Sequence, residues 1–118
     1  MNSYKKIINK LITNNITVST SESCTGGLLA YSITKNHDSS KIYQGGYITY
    51  SNESKIRNLN VKKITLKKYG AVSKQTAKEM VTGLFIKTKS DICIATTGIA
   101  GPTGGSKNKP IGLVYIGI

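Results

Sequence analysis

The sequence has no tryptophan, one phenylalanine, one histidine and two cysteines, and only five of its 118 residues are acidic. Each shortage excludes something. With so few large aromatics, the core must be mostly aliphatic. His37 stands in "KNHDSSK", a polar and turn-like stretch, and reads as a surface residue, so no histidine is left for a Ser-His-Asp triad. Cys24 and Cys93 lie far apart, without Cys-x-x-Cys spacing or a second ligand nearby. That argues against a zinc site and for free thiols in a reducing cytosol. No secretory pattern opens the chain and no apolar run approaches a membrane span, so a cytoplasmic protein without a membrane partner is expected.

What is abundant is lysine. Formal charge is +12, from 17 basic residues of which only Arg57 is arginine. Bidentate readout of bases and phosphates favours arginine, and these lysines are scattered without interleaved aromatics. A solvated lysine surface is the preferred reading, with no specific nucleic-acid partner.

The length suits one domain, residues 1–118. Ile7, Ile8, Leu11 and Ile12 recur at helical spacing and predict an amphipathic helix over 3–13. "ITVSTS" (16–21) and "GGYITYS" (45–51) are rich in β-formers and read as strands. Between them "GGLLAYSIT" reads as a helix opening near Thr25. Asn52 begins a helix through Leu59, and "ITLKKY" reads as another stopped by Gly70. Ser73 is a good N-cap for a helix whose Ala77, Met80, Val81, Leu84 and Phe85 share one buried face. "DICIATT" (91–97) is apolar enough for a strand covered on both faces. A Gly/Pro loop over 98–110 and a last strand, "IGLVYIGI", follow. Alternating strands and helices predict an α/β fold: a three-layer α/β/α sandwich on a mainly parallel or mixed sheet.

Four stretches bear on chemistry. "SESCTGG" runs from a strand through a small-residue turn into a helix, where a serine is exposed beside converging backbone amides. Helix capping alone also explains its hydroxyls. In "GGYITYSNESK", Tyr47 and Thr49 share one strand face, Ile48 and Tyr50 the other, and Lys55 lies one helical turn on. A serine nucleophile without histidine needs another base, and a lysine of depressed pKa is the known substitute. Ordinary packing of Tyr50 and solvation of Lys55 is the competing reading. "TTGIAGPTGGSKNKP" is glycine-rich enough for a binding loop, although its order is not that of a phosphate-binding P-loop. "YGAVSKQTAKEM" is explained by capping between two helices.

Taken in order, "SESCTGG", "GGYITYSNESKIRNL", "YGAVS" and "TGIAGPTGGSKNKPIGLVYI" resemble the C-terminal domain of the competence/damage-inducible protein CinA. That domain is also found alone as a nicotinamide-nucleotide amidohydrolase. The resemblance implies a cytoplasmic bacterial homo-oligomer acting on a small nucleotide. The implied reaction is deamidation of nicotinamide mononucleotide to nicotinate mononucleotide and ammonia, with no metal or other cofactor. It carries the nucleophile onto Ser23, with Tyr50 and Lys55 as its catalytic partners. It carries substrate contacts onto Thr25, Gly26, Gly46, Thr97, Gly98, Ala100 and Gly101, and backbone amides around Cys24–Gly27 would hold the oxyanion. Two departures stand out. Ser21 replaces the family's usual alanine, a small change. The chain also ends before the family's further strand, Gly-Asp-Arg type segment and final helix, so the domain is expected to be truncated relative to the family. The alternative reading is therefore a catalytically impaired nucleotide-binding or assembly module of the same fold.

Overall fold

A computed structural model describes residues 2–118. Four strands form one mixed sheet: β1 (Val18–Glu22), β2 (Tyr43–Ile48), β3 (Ile92–Gly98) and β4 (Val114–Gly117), in the order β2-β1-β3-β4. β1 runs parallel to both β2 and β3, while β4 returns antiparallel to β3. The helices are α1 (Ser3–Thr13), α2 (Leu28–Thr34), α3 (Asn52–Leu59), α4 (Lys63–Tyr69) and α5 (Lys74–Thr88).

Strand alternation divides the core in two. On one face Val18, with half-buried Ile92 and Ile94, packs against Ile8 of α1 and Ile33 of α2. On the other, Cys93 and Ala95 meet Leu59, Leu66, Met80 and Leu84 from α3, α4 and α5. The two tyrosines of β2 serve different faces. Val18 pairs with Tyr43 but Ser19 pairs with Gly45, so Gln44 is an extra residue that shifts the alternation. Tyr43 therefore joins the α1–α2 core and Tyr47 the α5 core.

Local chemistry explains most element ends. Asn2, Ser51 and Ser73 side chains accept from the backbone N–H groups of Lys5, Ser54 and Thr76, capping α1, α3 and α5. Gly70, at φ 81°, stops α4. Several expectations shift. α2 opens at Leu28 rather than near Thr25, because Gly26 and Gly27 take left-handed φ values of 57° and 107°. β1 ends at Glu22 instead of 21, β2 covers 43–48 instead of 45–51, and β4 forms only over 114–117. In α5 the buried stripe runs through Thr76, Ala77, Met80, Gly83 and Leu84, which leaves Phe85 48% exposed. Gly83 belongs there because α3 crosses at that point: a Cβ on it would lie 1.9 Å from the Leu59 carbonyl oxygen.

The second helical layer covers only part of the sheet. α1 and α2 pack over β1 and β2, and a hollow lined by Leu28, Leu29, Ile94 and Ile116 opens between α2 and the β3–β4 side. Burial of β3 is accordingly uneven, with Cys93 and Ala95 enclosed and Ile92 and Ile94 only half-buried.

Candidate active site

Ser23 is the first residue beyond β1. Its N–H still donates to the Thr96 carbonyl of β3 at 3.0 Å, so the sheet fixes its backbone although the strand has ended. Alternation sends its side chain to the α3–α5 face, where it is nearly buried. Lys55 comes from the first turn of α3. That helix starts sharply at its Ser51 cap, which turns Lys55 back under the Thr49–Ser51 corner.

Lys55 is 1% exposed. Its Nζ lies 3.0 Å from Ser23 Oγ, 2.9 Å from the Thr49 carbonyl oxygen and 3.1 Å from that of Tyr50. Among the described residues no carboxylate pairs with it; the ion pairs join other side chains. Burial pushes the Lys55 pKa down, with only a smaller upward effect from Cys24. Desolvation, rather than repulsion from the other lysines, is thus the cause.

The arrangement allows two protonation states. Carbonyls only accept, so two N–H bonds of Lys55 are committed to Thr49 and Tyr50. As an ammonium, Lys55 gives its third proton to Ser23, whose hydroxyl can turn to the Tyr50 carbonyl 3.4 Å away. As a neutral amine it presents its lone pair to the Ser23 hydroxyl. The second state is that of a base beside a nucleophile.

A cavity of about 330 Å³ opens over this pair. It brings together Ser23, Tyr50, Lys55, Thr97, Gly98, Ala100 and Gly101 of the residues singled out from sequence, with Cys24, Ala71, Val72, Ile99, Thr103 and Gly104 completing the wall. The Thr97 hydroxyl donates to the Ala71 carbonyl at 2.7 Å, tying the end of β3 to the α4–α5 connection. Tyr50 reaches Lys55 through its backbone carbonyl; its side chain is a rim group and the residue is 72% exposed. Lys55 is the one charged side chain of the lining. Arg57 is turned away, paired with Glu53 on the exposed side of α3.

Three sequence-selected residues are absent from the cavity lining. Thr25 turns its hydroxyl to Glu22 and Thr96, at 2.6 and 2.8 Å. Gly46 lies in β2, where a Cβ would sit 2.2 Å from the Thr20 carbonyl oxygen, so close strand packing accounts for it. Gly26 donates its N–H to the Ser23 carbonyl and Gly27 donates to Glu22. Within 24–27 the amides of Cys24 and Thr25 are the two without a carbonyl or carboxylate acceptor among the described residues. Both act on the Cys24 thiol, whose pKa burial nevertheless raises. Two hydroxyls near the site, those of Ser21 and Thr49, are buried without a partner among the described residues.

The residue that sequence reasoning passed over is Glu22. It is 1% exposed, and its carboxylate accepts four hydrogen bonds from the turn and the start of α2. The available signal was its position, directly before "SCTGG", as the only acidic residue ahead of Asp38. Among the described residues no group of three or more metal-ligating side chains gathers, and no helix is long and apolar enough to cross a membrane.

Comparison with known proteins identifies the family to which the fold corresponds. The family model described as the CinA C-terminal domain matches residues 2–118. A putative competence-damage inducible protein of Clostridium novyi is 60% identical over 108 residues, covering 92% of this chain and 26% of that protein. A CinA-like protein of Kosmotoga olearia is 51% identical over 112 residues, 95% of this chain and 27% of its own length. The chain therefore spans about a quarter of these relatives. The crystal structure of the competence/damage inducible protein CihA from Agrobacterium tumefaciens superposes with a TM-score of 0.92 at 43% identity, over 96% of this chain and 68% of that one.

Proposed function

This chain belongs to the family of CinA C-terminal domains, and on that footing we propose that it is a serine amidohydrolase that deamidates nicotinamide mononucleotide. The observation that carries the chemistry is the contact of Ser23 Oγ with a buried lysine Nζ whose other two partners are carbonyls. Ser23 Oγ forms a bond to the carboxamide carbon as its proton passes to Lys55. The carbonyl electron pair moves onto oxygen, where the amides of Cys24 and Thr25 stabilise it. Collapse breaks the C–N bond, Lys55 returns the proton to the departing nitrogen, and ammonia leaves. Water then attacks the acyl-enzyme and gives a proton to Lys55; the bond from the acyl carbon to Ser23 Oγ breaks, Lys55 returns the proton to Ser23, and nicotinate mononucleotide leaves.

In this scheme Thr97, Gly98, Ala100 and Gly101 form the wall against the substrate, Tyr50 supplies a carbonyl to Lys55 and a ring to the rim, and no step draws on a metal or other cofactor. A cytoplasmic location and a homo-oligomeric state belong to the same reading. The test is ammonia release from nicotinamide mononucleotide, with Ser23→Ala as control. Release that depends on Ser23 supports the proposal; release that survives the substitution refutes the nucleophile.

One observation favours a second reading. Among the described residues the cavity lining holds no charged side chain except Lys55, so the lining itself offers no second cation to a substrate phosphate. Binding of nicotinamide mononucleotide without ammonia release would identify a binding or assembly module instead.

A further inference from the structure

Glu22 is a fully buried carboxylate that no step above uses. Alternation along β1 sends its side chain to the face opposite Ser23, under the start of α2. There Oε1 accepts from the Thr25 hydroxyl at 2.6 Å, the Leu29 amide at 2.9 Å and the Gly27 amide at 3.2 Å, and Oε2 accepts from the Ala30 amide at 3.0 Å. An ionised carboxylate only accepts, so the Thr25 proton is committed to it. Thr96 must then be the donor in its 2.8 Å contact with Thr25, which gives a directed chain Thr96 to Thr25 to Glu22. The Thr96 carbonyl meanwhile holds the Ser23 amide. The segment 23–25 is thus tied at both ends to one residue of β3, and Glu22 ties it onward to the next helix.

We propose that Glu22 is the positioning residue of the oxyanion site, fixing the peptide planes of Cys24 and Thr25 beside Ser23 from the far side of the sheet without touching substrate. The inference rests on Ser23 being the nucleophile. It goes beyond helix capping because a cap alone needs neither the Thr25 hydroxyl nor its link to β3. Oxyanion donors act through pre-set geometry, and loss of one donor costs about 10²- to 10³-fold in other enzymes. A donor loosened rather than removed should cost less.

The discriminating experiment uses p-nitrophenyl acetate, a probe that requires no nucleotide recognition. Ser23 Oγ bonds to the acetyl carbon, the bond to the nitrophenolate oxygen breaks, and the serine proton passes to Lys55. The released p-nitrophenolate gives a burst whose amplitude counts competent sites and whose rate constant reports acylation. Glu22→Gln keeps the shape of the side chain but sets an amide donor against a backbone donor. The expected result is an undiminished amplitude with a rate constant lowered roughly 10- to 100-fold, and an unchanged pH for half-maximal rate, since Lys55 is untouched. Thr96→Val, which keeps the carbonyl that holds Ser23 and removes only the hydroxyl, should give a smaller fall of the same kind and serves if Glu22→Gln does not fold. A falling amplitude with a wild-type rate constant, or a rate constant within threefold of wild type, overturns the proposal. A wild-type burst without ammonia from nicotinamide mononucleotide refutes the substrate proposed above and leaves this test standing. Absence of any wild-type p-nitrophenolate release, burst or steady state, above that of Ser23→Ala removes Ser23 as nucleophile, and this proposal with it.

Discussion

Replacing Lys55 tests the base directly. In Lys55→Met the stem that fills the space under the Thr49–Ser51 corner is kept, while the three contacts of Nζ, at 2.9, 3.0 and 3.1 Å, are lost. Two carbonyls lose a donor, which costs stability, but a desolvated amine without a carboxylate partner is also removed, which returns some. These effects oppose one another, so the net change should stay within about 2 kcal/mol and the variant should fold. Catalysis has no such offset. A positioned general base contributes about 10²- to 10⁴-fold, or about 3–5 kcal/mol of barrier. The assay is ammonia release under kcat/KM conditions, with circular dichroism and thermal melting to establish that the fold is retained. Lys55→Arg is the sharper control: arginine supplies charge and hydrogen bonds but does not accept a proton at working pH. If Lys55 were only an electrostatic anchor, arginine would restore activity. Retention of more than a tenth of the wild-type rate in either variant would refute the assignment.

Four further outcomes follow from the same coordinates. Because burial lowers the Lys55 pKa, the unfolded chain holds that proton up to about 10.5 while the folded chain releases it earlier. Between those values the unfolded state binds more protons, so the Lys55 contribution to stability rises with pH across that window and is at its lowest below it; urea titrations of wild type minus Lys55→Met should show that slope. Ser21→Ala removes a buried hydroxyl that has no partner among the described residues and should raise stability by about 1 kcal/mol, read as a higher Tm, and a lower Tm would contradict it. Gly83→Ala would force a Cβ to 1.9 Å from the Leu59 carbonyl oxygen and should cost about 1–3 kcal/mol by prising α3 from α5, measured by chemical denaturation. Tyr50→Phe deletes a phenol hydroxyl on an exposed residue and leaves the carbonyl that holds Lys55, so kcat should change less than about threefold, well short of what loss of a general acid or base costs.

The sequence carried the element order and much of the site because both depend on local chemistry. Ser51 before Asn52 and Ser73 before Lys74 are side-chain caps, and capping is written in residue type. Helical spacing put Lys55 one turn inside α3, near the residues that lead into that helix, but only the family resemblance singled it out from a solvated lysine. What was missed depends on relations across the sheet. The resemblance carried a substrate contact onto Gly46, yet this strand residue answers to Thr20 on the neighbouring strand. Thr25 and Gly26 adjoin the nucleophile in sequence, but the left-handed glycines send the chain away from the cavity within three residues. Phe85 fits a helical stripe, but the crossing of α3 at Gly83 rotates the buried face away from it. Glu22 was hidden for the converse reason: its donors include Gly27, Leu29 and Ala30, a set that exists only once the turn has formed.

The excess of lysine explains little of the chemistry, although it dominates the composition. At a net charge of +12, most of these cations are solvated, and salt screens them within about 8 Å under physiological conditions. Lys55 differs by burial, not by number of neighbours. A buried ammonium without an anion is unfavourable, while a buried amine bonded to two carbonyls is nearly satisfied, so the fold itself pushes this lysine toward the form that accepts a proton. The same corner leaves Ser23 nearly buried at the wall of the cavity. Among the described residues the buried Ser21 and Thr49 hydroxyls find no partner, which costs stability. On the proposed mechanism, lysine takes the place of a histidine only because the α3 corner encloses it. A change that opened that corner to water, with Ser23 and Lys55 both intact, would restore an ordinary lysine and abolish the base.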